Sequence, residues 1–321
     1  MIPLEKLRAV RTVLAHGYPD GPCPDGMGSA LIIRDAMPDV EVRFLVSESR
    51  ELQELHVERG MLFVDVSPPS KRLPAFISAG AIVLDHHDTV KEDVALFREF
   101  GVFADAKTEP GVSGALLAYR HVWQPLMDAA AIGQIDLYDA NARVRTFAEL
   151  VGVRDTWQKD DPRFRAASEQ ASALFFFPWS TWSELKRPFT DPEQHEVLRR
   201  RLALGPDLRA RSDELARSLA AGAFRFVTEK GTRVAILPSS IISDAAELVE
   251  DVDIVCGFSF RCDHGVPKMK LSLRSRGDFV VRHIAERLGG GGHAHAASAW
   301  MELHAAHQHP YAVVRTVMSA L

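Results

Sequence analysis

Short apolar runs, each about the length of a strand, recur through the first third of the chain. They cover residues 10–15, 40–45, 61–66 and 81–84. Helix-like patterns lie between or after them, notably over residues 28–37 and 113–122. This alternation predicts an α/β fold whose N-terminal domain contains a mostly parallel sheet. In such sheets ligands bind beyond the carboxyl ends of the strands, so polar residues at those ends are the first candidates for a site.

The pattern changes in the second half of the chain. It becomes helical and polar over 139–150 and 181–221, and an arginine-rich solvated helix is favoured there over a phosphate-binding stripe. Strand-like runs return at 224–227, 233–237, 253–260 and 269–273, followed by an amphipathic helix over 278–288. We therefore predict an N-terminal domain over 1–180, a helical linker over 181–221 and a smaller mixed α/β domain over 222–321.

Composition narrows the expected partners. The chain has 321 residues and a formal net charge of −5, so it lacks the broad basic field of proteins that track long duplex DNA. Its three cysteines form no CxxC pair, which favours a reducing compartment, and we expect a cytoplasmic protein. No run approaches the roughly 20 apolar residues of a membrane span. The oligomeric state is left open, a homodimer included.

The strongest local signal is Asp85-His86-His87, which follows an apolar strand directly. Carboxylates and neutral imidazoles are the usual ligands of manganese, iron and zinc. Asp65 lies among apolar residues in another predicted strand, where an unpaired carboxylate would be costly unless a cation or several donors met it. These residues predict a metal site at the strand ends.

Two further regions offer acids and a histidine. The first strand runs into a Gly/Pro-rich turn that presents His16, Asp20 and Asp25 before a helix opens. Asp155 could be the N-cap of a helix or another ligand, and spacing alone favours the cap.

The order of these residues resembles the four successive motifs of the DHH phosphoesterase family. His16 with Asp20 and Asp25 stands for the first motif, Asp65 for the second, Asp85-His86-His87 for the third and Asp155 for the fourth. Residues 289–298, which begin with four glycines and His293, resemble the GGGH loop of the DHH-associated domain that follows in that family. The resemblance spans almost the whole chain.

The resemblance implies two metal ions, expected to be Mn²⁺, with Mg²⁺, Co²⁺ or Zn²⁺ as alternatives. It assigns His16 and Asp20 to one ion, Asp25, His86 and Asp155 to the other, and Asp65 to both. Asp85 would orient a histidine from a supporting position, and His87 would face the phosphate.

The resemblance also gives roles to the C-terminal residues. Backbone N–H groups of an open loop at Gly290, Gly291 and Gly292 would converge on a phosphate, because no side chain blocks a close approach. His293 would donate to a phosphate oxygen, and Arg274 would clamp the phosphate in bidentate fashion. The active site would then lie in a cleft between the domains.

The first motif departs from the family pattern. The step from Asp20 to Asp25 is five residues, where the family has two. Either a Gly-Pro-Cys-Pro loop is inserted, or Cys23 takes the place of the first aspartate. As a soft ligand Cys23 would shift the metal preference toward zinc or iron, but an inert cysteine in a turn is the favoured interpretation.

The sequence thus predicts a metal-dependent phosphoesterase, a nuclease-type hydrolase that cleaves phosphodiester bonds of short oligonucleotides or cyclic dinucleotides. The alternatives are a nucleoside bisphosphate phosphatase, a single-strand exonuclease and a relative that binds nucleotides without cleaving them.

Overall fold

The structure is a computed structural model that describes residues 2–18, 21–47, 49–130, 137–239, 242–263 and 266–302. The chain divides into two units, Met1–Arg209 and Ala210–Leu321, with the division inside one helix. Each unit contains a sheet and helices, so the predicted α/β fold is confirmed.

The first unit is built on a sheet of six strands. They are β1 (Thr12–Tyr18), β2 (Gly21–Pro22), β3 (Glu41–Leu45), β4 (Met61–Val64), β5 (Ile82–Asp85) and β6 (Gly101–Phe103). Five of them are parallel in the order β3-β1-β4-β5-β6. The short β2 pairs antiparallel with the end of β1. The prediction of a mostly parallel sheet is therefore confirmed.

Helices flank this sheet. They are α1 (Leu4–Arg8), α2 (Pro24–Ala36), α3 (Arg50–Gln53), α4 (Leu73–Ala79), α5 (Lys91–Ala95), α6 (Gly114–Ala118), α7 (Gln124–Ala130), α8 (Leu137–Asp155), α9 (Phe164–Phe176), α10 (Trp179–Trp182) and α11 (Pro192–Leu202). The next helix, α12 (Gly205–Ala221), continues into the second unit, where its Ala216 and Ala220 are buried. A π-helical turn, Tyr119–Trp123, joins α6 to α7, and 3-10 turns lie at Ser70–Arg72, Asp88–Val90 and Arg98–Phe100.

Both faces of the sheet are buried, which explains why its strands are apolar without alternation. Val13 and Leu62 point to one face, where they pack in a core shared with α2, α6 and α8. Their neighbours Leu14 and Phe63 point to the other face, against α4 and α5. Successive residues of a strand face opposite sides, so this double covering leaves only the strand ends open for a polar site.

The predicted linker does not run free of the first unit over its whole length. Its residues Leu185, Phe189 and Leu198 are buried in the same core as Val13 and Leu62. The apolar residues of this stretch are few and widely spaced, so the sequence pattern alone indicates a polar, solvated helix.

The second unit contains β7 (Phe224–Val227), β8 (Arg233–Leu237), β9 (Ile254–Asp263), β10 (Val266–Ser275), β11 (Gly291–His293) and β12 (Ala296–Glu302). Two short helices, α13 (Ser243–Leu248) and α14 (Arg282–Arg287), accompany them. The strand order is β11-β12-β10-β9-β8-β7, and only the β8–β9 pair is parallel. Among the residues described, no helix has the length and apolar character that crossing a bilayer requires.

Candidate metal centre

Three neighbouring strands of the first unit bring acids and histidines to one edge of the sheet. His16 lies near the end of β1, Asp65 follows β4 directly, and Asp85 is the last residue of β5. The parallel registers pair Ala15 with Val64 and Val64 with Leu84, so the three strands end side by side.

Asp65 presents its two carboxylate oxygens to two different sets of side chains. Oδ2 lies 3.1 Å from Sγ of Cys23 and 3.5 Å from Nδ1 of His16. Oδ1 lies 3.2 Å from Nε2 of His86 and 3.9 Å from Nδ1 of His87. The backbone of Asp65 has a φ of 60°, a conformation that costs a non-glycine residue about 1–3 kcal/mol and recurs at functional sites.

Asp25 forms hydrogen bonds that connect the start of α2 to the start of α6. It lies in the first turn of α2 and is buried. Its Oδ2 accepts a hydrogen bond from the N–H of Gly114 at 2.6 Å, and its Oδ1 accepts one from the N–H of Ala115 at 2.8 Å. These backbone donors at the start of α6 were not foreseen, since their identity carries no side-chain signal. They fix the direction of the carboxylate, which also lies 3.5 Å from Nε2 of His86.

Asp155 joins the site from the end of a long helix. It is the last residue of α8, so the interpretation as a helix N-cap is wrong. Its Oδ2 lies 3.5 Å from Nε2 of His86. The end of α8 packs so closely that a Cβ at Gly152 would lie 1.9 Å from the carbonyl oxygen of Gly111. This contact fixes the position from which Asp155 reaches the histidine.

Both carboxylate oxygens of Asp85 accept hydrogen bonds, and some of these bonds fix the loop that follows β5. Its Oδ1 accepts from the backbone N–H groups of His86 and His87 at 2.8 and 3.0 Å and from Nδ1 of His87 at 2.8 Å. Its Oδ2 accepts from the hydroxyl of Ser67 at 2.7 Å. Ser67 carried no sequence signal. The carboxylate thus holds the two histidines in place, and its role in catalysis stays a prediction.

Burial and mutual repulsion shift the titration of these groups. Burial, then the charges of Asp65 and Asp155, raise the pKa of Asp25 to about 7. Burial would also raise the pKa of Asp65, but hydrogen bonds with His16 and His86 hold it well below its usual range. Burial would lower the pKa of His86, yet the surrounding carboxylates raise it well above its ordinary value.

The same buried, acidic surroundings shift the pKa of the Cys23 thiol. Burial, followed by the charges of Asp65 and Asp25, raises its pKa well above the ordinary value. Without a cation it is therefore a thiol that donates to Asp65.

Among the side chains that the structure describes, three groups at this site could each hold a cation, with ligand atoms within 4.8 Å of one another. They are His16, Cys23 and Asp65; Asp65, His86 and His87; and Asp25, His86 and Asp155. Asp20, the remaining predicted ligand, lies outside the described residues.

The donors fit a divalent metal. Within the described residues, the cationic partners that contact Asp25, Asp65 and Asp155 are all imidazoles. His86 also has a buried Nδ1 with no hydrogen-bond partner. Asp25 and Asp65 are buried, and Asp155 completes the group from a more exposed position. Carboxylates gathered in this way around an imidazole nitrogen form a cage that a divalent cation would stabilise.

Exposed aromatic rings continue from the site over the surface. The ring of Tyr18 lies 5.4 Å from that of His16, and the ring of Phe175 lies 6.5 Å from that of Tyr18, measured between centroids. Tyr18 is 38% exposed and Phe175 is 39% exposed. No sequence motif marks these rings, because they come from β1 and α9 and only the fold makes them neighbours.

The residues of the second unit that were predicted to bind phosphate lie in a strand or already donate hydrogen bonds within the protein. Gly291–His293 is strand β11 paired with β12, so the loop predicted over residues 289–293 is in part a strand. A Cβ at Gly290 would lie 2.1 Å from the carbonyl oxygen of Ser298, which gives this glycine a packing reason. The guanidinium of Arg274 donates to the hydroxyl of Ser243 and to the carbonyl of Leu273. Roles for these residues in substrate binding stay predictions.

Solved structures share this fold although their sequences are distant. No protein-family model and no curated protein matches the chain. A DHH-domain protein described as a member of a family of ribosomal proteins is 13% identical with a TM-score of 0.55, and the match covers 98% of this chain and 87% of that one. The exonuclease RecJ bound to manganese is 17% identical with a TM-score of 0.54, covering 99% and 92%.

A third similarity is weaker. A pGpG-specific phosphodiesterase, PggH from Vibrio cholerae, is 12% identical with a TM-score of 0.39, covering 97% of this chain and 100% of that one, and this likeness is too low to carry an argument. The first two matches show that the chain has the fold of DHH-domain proteins, as the motifs predicted. The likeness of residues 289–298 to the DHH-associated domain stays a prediction.

Proposed function

We propose that this chain, which has the fold of DHH-domain proteins, is a metal-dependent phosphoesterase that hydrolyses phosphodiester bonds of short oligonucleotides or cyclic dinucleotides. The observation that carries the proposal is the placement of Asp65. One of its oxygens faces His16 and Cys23, and the other faces His86 and His87. A carboxylate shared in this way is the ligand that a pair of cations needs between them.

The ligands fall into two sets around that carboxylate. Asp25, His86 and Asp155 would hold one ion, His16 would hold the other, and Asp65 would contact both. Manganese suits the nitrogen and oxygen donors of the first set. Two bound cations would lower the pKa of a water toward neutrality and offset the charge of the phosphoryl oxygens.

The protein itself would orient the substrate. His87, held through Nδ1 by Asp85, would donate a hydrogen bond to a phosphoryl oxygen. Burial would lower the pKa of His87, but the carboxylates of Asp85 and Asp65 raise it, which favours the protonated donor. A donor lowers the activation free energy of hydrolysis most when it is held in one orientation. The hydrogen bond to Asp85 restrains the imidazole ring of His87 in this way.

A nucleotide substrate is supported by two features. The rings of Tyr18 and Phe175 lie exposed beside His16, where a base could stack on them. The net charge of −5 disfavours long nucleic acid, which leaves short substrates. RecJ, whose fold is similar, is named as an exonuclease. In the second unit, Arg274, Gly290, Gly291, Gly292 and His293 are kept as candidate phosphate ligands.

The test uses the purified chain with manganese and a panel of short oligonucleotides, cyclic dinucleotides and nucleoside bisphosphates. We expect turnover of the phosphodiesters that is abolished by a chelator. Asparagine tolerates the positive φ of position 65, so Asp65→Asn should keep the backbone conformation. It should lower the rate of hydrolysis about a thousandfold or more, because stabilisation of the transition-state charge by the cations is worth several kcal/mol. The control is Asp39→Asn, at a side chain that is 96% exposed.

The outcomes separate the alternatives. Full activity in Asp65→Asn or in the presence of chelator contradicts the proposal. Preferred turnover of bisphosphates points to the phosphatase, and nucleotide binding without turnover points to a non-catalytic relative. Strongly salt-dependent binding of long single strands points to the exonuclease.

A further inference from the structure

We propose that Cys23 is a metal ligand, so that one ion of the pair is held by His16, Cys23 and Asp65 through nitrogen, sulfur and oxygen. The proposal rests on the proposed metal centre for the presence of the ion. It goes further in making the two ions chemically unequal, since the set of Asp25, His86 and Asp155 offers no sulfur.

The position of the sulfur carries the argument. Cys23 is buried, and its Sγ lies 3.1 Å from Oδ2 of Asp65. The same oxygen lies 3.5 Å from Nδ1 of His16. The three donor atoms lie within 4.8 Å of one another, so a single ion between them could contact all three. A cysteine that only filled space in a turn would have no reason to point at a carboxylate and an imidazole.

Helix capping alone does not account for a cysteine here. Cys23 is the N-cap of α2, and its Sγ accepts a hydrogen bond from the N–H of Gly26 at 3.1 Å. Serine, threonine, aspartate and asparagine are the preferred residues for that task, and sulfur is a weaker acceptor than oxygen. The same N–H, together with the positive end of the helix, would stabilise a sulfur that carries negative charge. The cap therefore suits a thiolate ligand.

Binding replaces the S–H bond by a bond between sulfur and metal, and the proton passes to solvent. Thiolate ligands favour zinc, iron and cobalt, whereas carboxylate and imidazole also accept manganese. The site of Cys23 should therefore hold the softer ion, and the site of Asp25 should accept the harder one. Manganese would fill the site of Cys23 only at a higher concentration than zinc or cobalt would need.

Cobalt provides a readout that does not depend on activity. The full chain, stripped of metal, is titrated with Co²⁺ while the near-ultraviolet band of thiolate-to-cobalt charge transfer is recorded and bound cobalt is counted by elemental analysis. We expect the band in the wild type and in the controls Cys256→Ala and Cys262→Ala. We expect Cys23→Ser to lose the band while it still binds cobalt at the oxygen and nitrogen set.

A second measurement needs no variant. X-ray absorption of the zinc-loaded wild type should show a sulfur neighbour at about 2.3 Å beside nitrogen and oxygen neighbours at about 2.0–2.2 Å. Bound cobalt without the band, or bound zinc without the sulfur neighbour, overturns the role of Cys23 and leaves the metal centre standing. Failure of the chain to bind any divalent ion overturns both this proposal and the proposed function.

Discussion

Nδ1 of His87 donates a hydrogen bond of 2.8 Å to Oδ1 of Asp85, the same oxygen that holds the backbone of the loop after β5. One carboxylate oxygen thus sets both the course of the loop and the direction of the imidazole. The side chain of Asp85 is buried, so this arrangement is rigid. Asp85 acts on the site through these hydrogen bonds and is not itself in any of the candidate ligand groups found among the described residues.

Asp85→Asn should lower kcat about 10- to 100-fold with little change in metal content, the usual effect of removing a partner behind a functional histidine. Loss of the negative charge should also lower the pKa of His87, so the alkaline limb of the kcat profile should move to lower pH. Steady-state rates across pH measure both effects. Ser67→Ala, which removes only the hydroxyl that donates to the other oxygen, should have a smaller effect. Wild-type kcat in Asp85→Asn would contradict the assigned role.

Metal affinity should rise with pH through neutrality. The pKa of Asp25 is raised to about 7, so below that pH a proton competes with the cation. Below this pKa, competition by one proton lowers the apparent metal affinity about tenfold for each unit by which the pH falls. Calorimetric titration of the metal-free chain at pH 6 and pH 8, in buffers of different ionisation enthalpy, measures the affinity and the released protons. Equal affinities at the two pH values would argue against Asp25 as a ligand.

The stability of the metal-free chain should show the opposite trend with pH. An unfolded aspartate has a pKa of about 4, so between that value and about 7 folded Asp25 keeps a proton that the unfolded chain has released. The free energy of unfolding therefore falls as pH rises through this window. The raised pKa of His86 acts in the same direction, because its stabilising contribution is lost as it deprotonates. Denaturant unfolding with and without divalent ion should show this loss only without the ion.

Gly26→Ala should damage the metal centre although alanine favours helices. A Cβ there would lie 2.1 Å from the carbonyl oxygen of His16, so α2 must move away from β1 and take Cys23 and Asp25 with it. We expect a loss of about 1–3 kcal/mol in stability and a lower metal stoichiometry. Thermal denaturation and elemental analysis measure these quantities. Gly28→Ala, in the same helix but facing a methyl group at 3.0 Å, should retain the metal. Equal effects of the two substitutions would contradict this geometry.

Removal of the exposed rings should weaken nucleotide binding and spare the chemistry. Phe175→Ala should raise KM for a dinucleotide about 5- to 100-fold, since stacking is worth about 1–3 kcal/mol per base, while kcat changes little. Phe176→Ala is the matched control, because this neighbouring phenylalanine is 59% exposed and its ring contacts Phe177. The variants are compared on a dinucleotide and on a phosphodiester of simple alcohols. A loss of the same size on both substrates would exclude base stacking.

Much of the fold followed from local patterns. The runs at 224–227 and 233–237 coincide with β7 and β8, and the apolar runs of the first unit lie over β1, β3, β4 and β5. The three-residue β6 was missed because it is shorter than the other parallel strands and its pairing with β5 depends on a distant part of the chain. The open loop expected at residues 289–293 is partly a strand, since its pairing depends on β12, a partner that local pattern does not specify.

The candidate site was predictable where motifs carried side chains, and unpredictable where contacts depended on packing. The order of His16, Asp65 and Asp85-His86-His87 pointed to one edge of the sheet, where the structure brings them together. The cap interpretation of Asp155 failed because the buried Val151 and Val153 extend α8 up to it. Spacing along the chain also could not show that Cys23 faces Asp65, which follows a strand 42 residues later.

The candidate ligands around Asp65 come from stretches of chain that begin at β1 and end with α8. β6, the last strand of this sheet among the described residues, ends at Phe103, well before Asp155 is reached. During synthesis, a nascent chain that has laid down every strand of the first unit would still lack the acid at position 155. Complete loading of the proposed metal centre would then depend on the emergence and docking of α8, so ion capture would follow formation of this sheet while the second unit is still to be made.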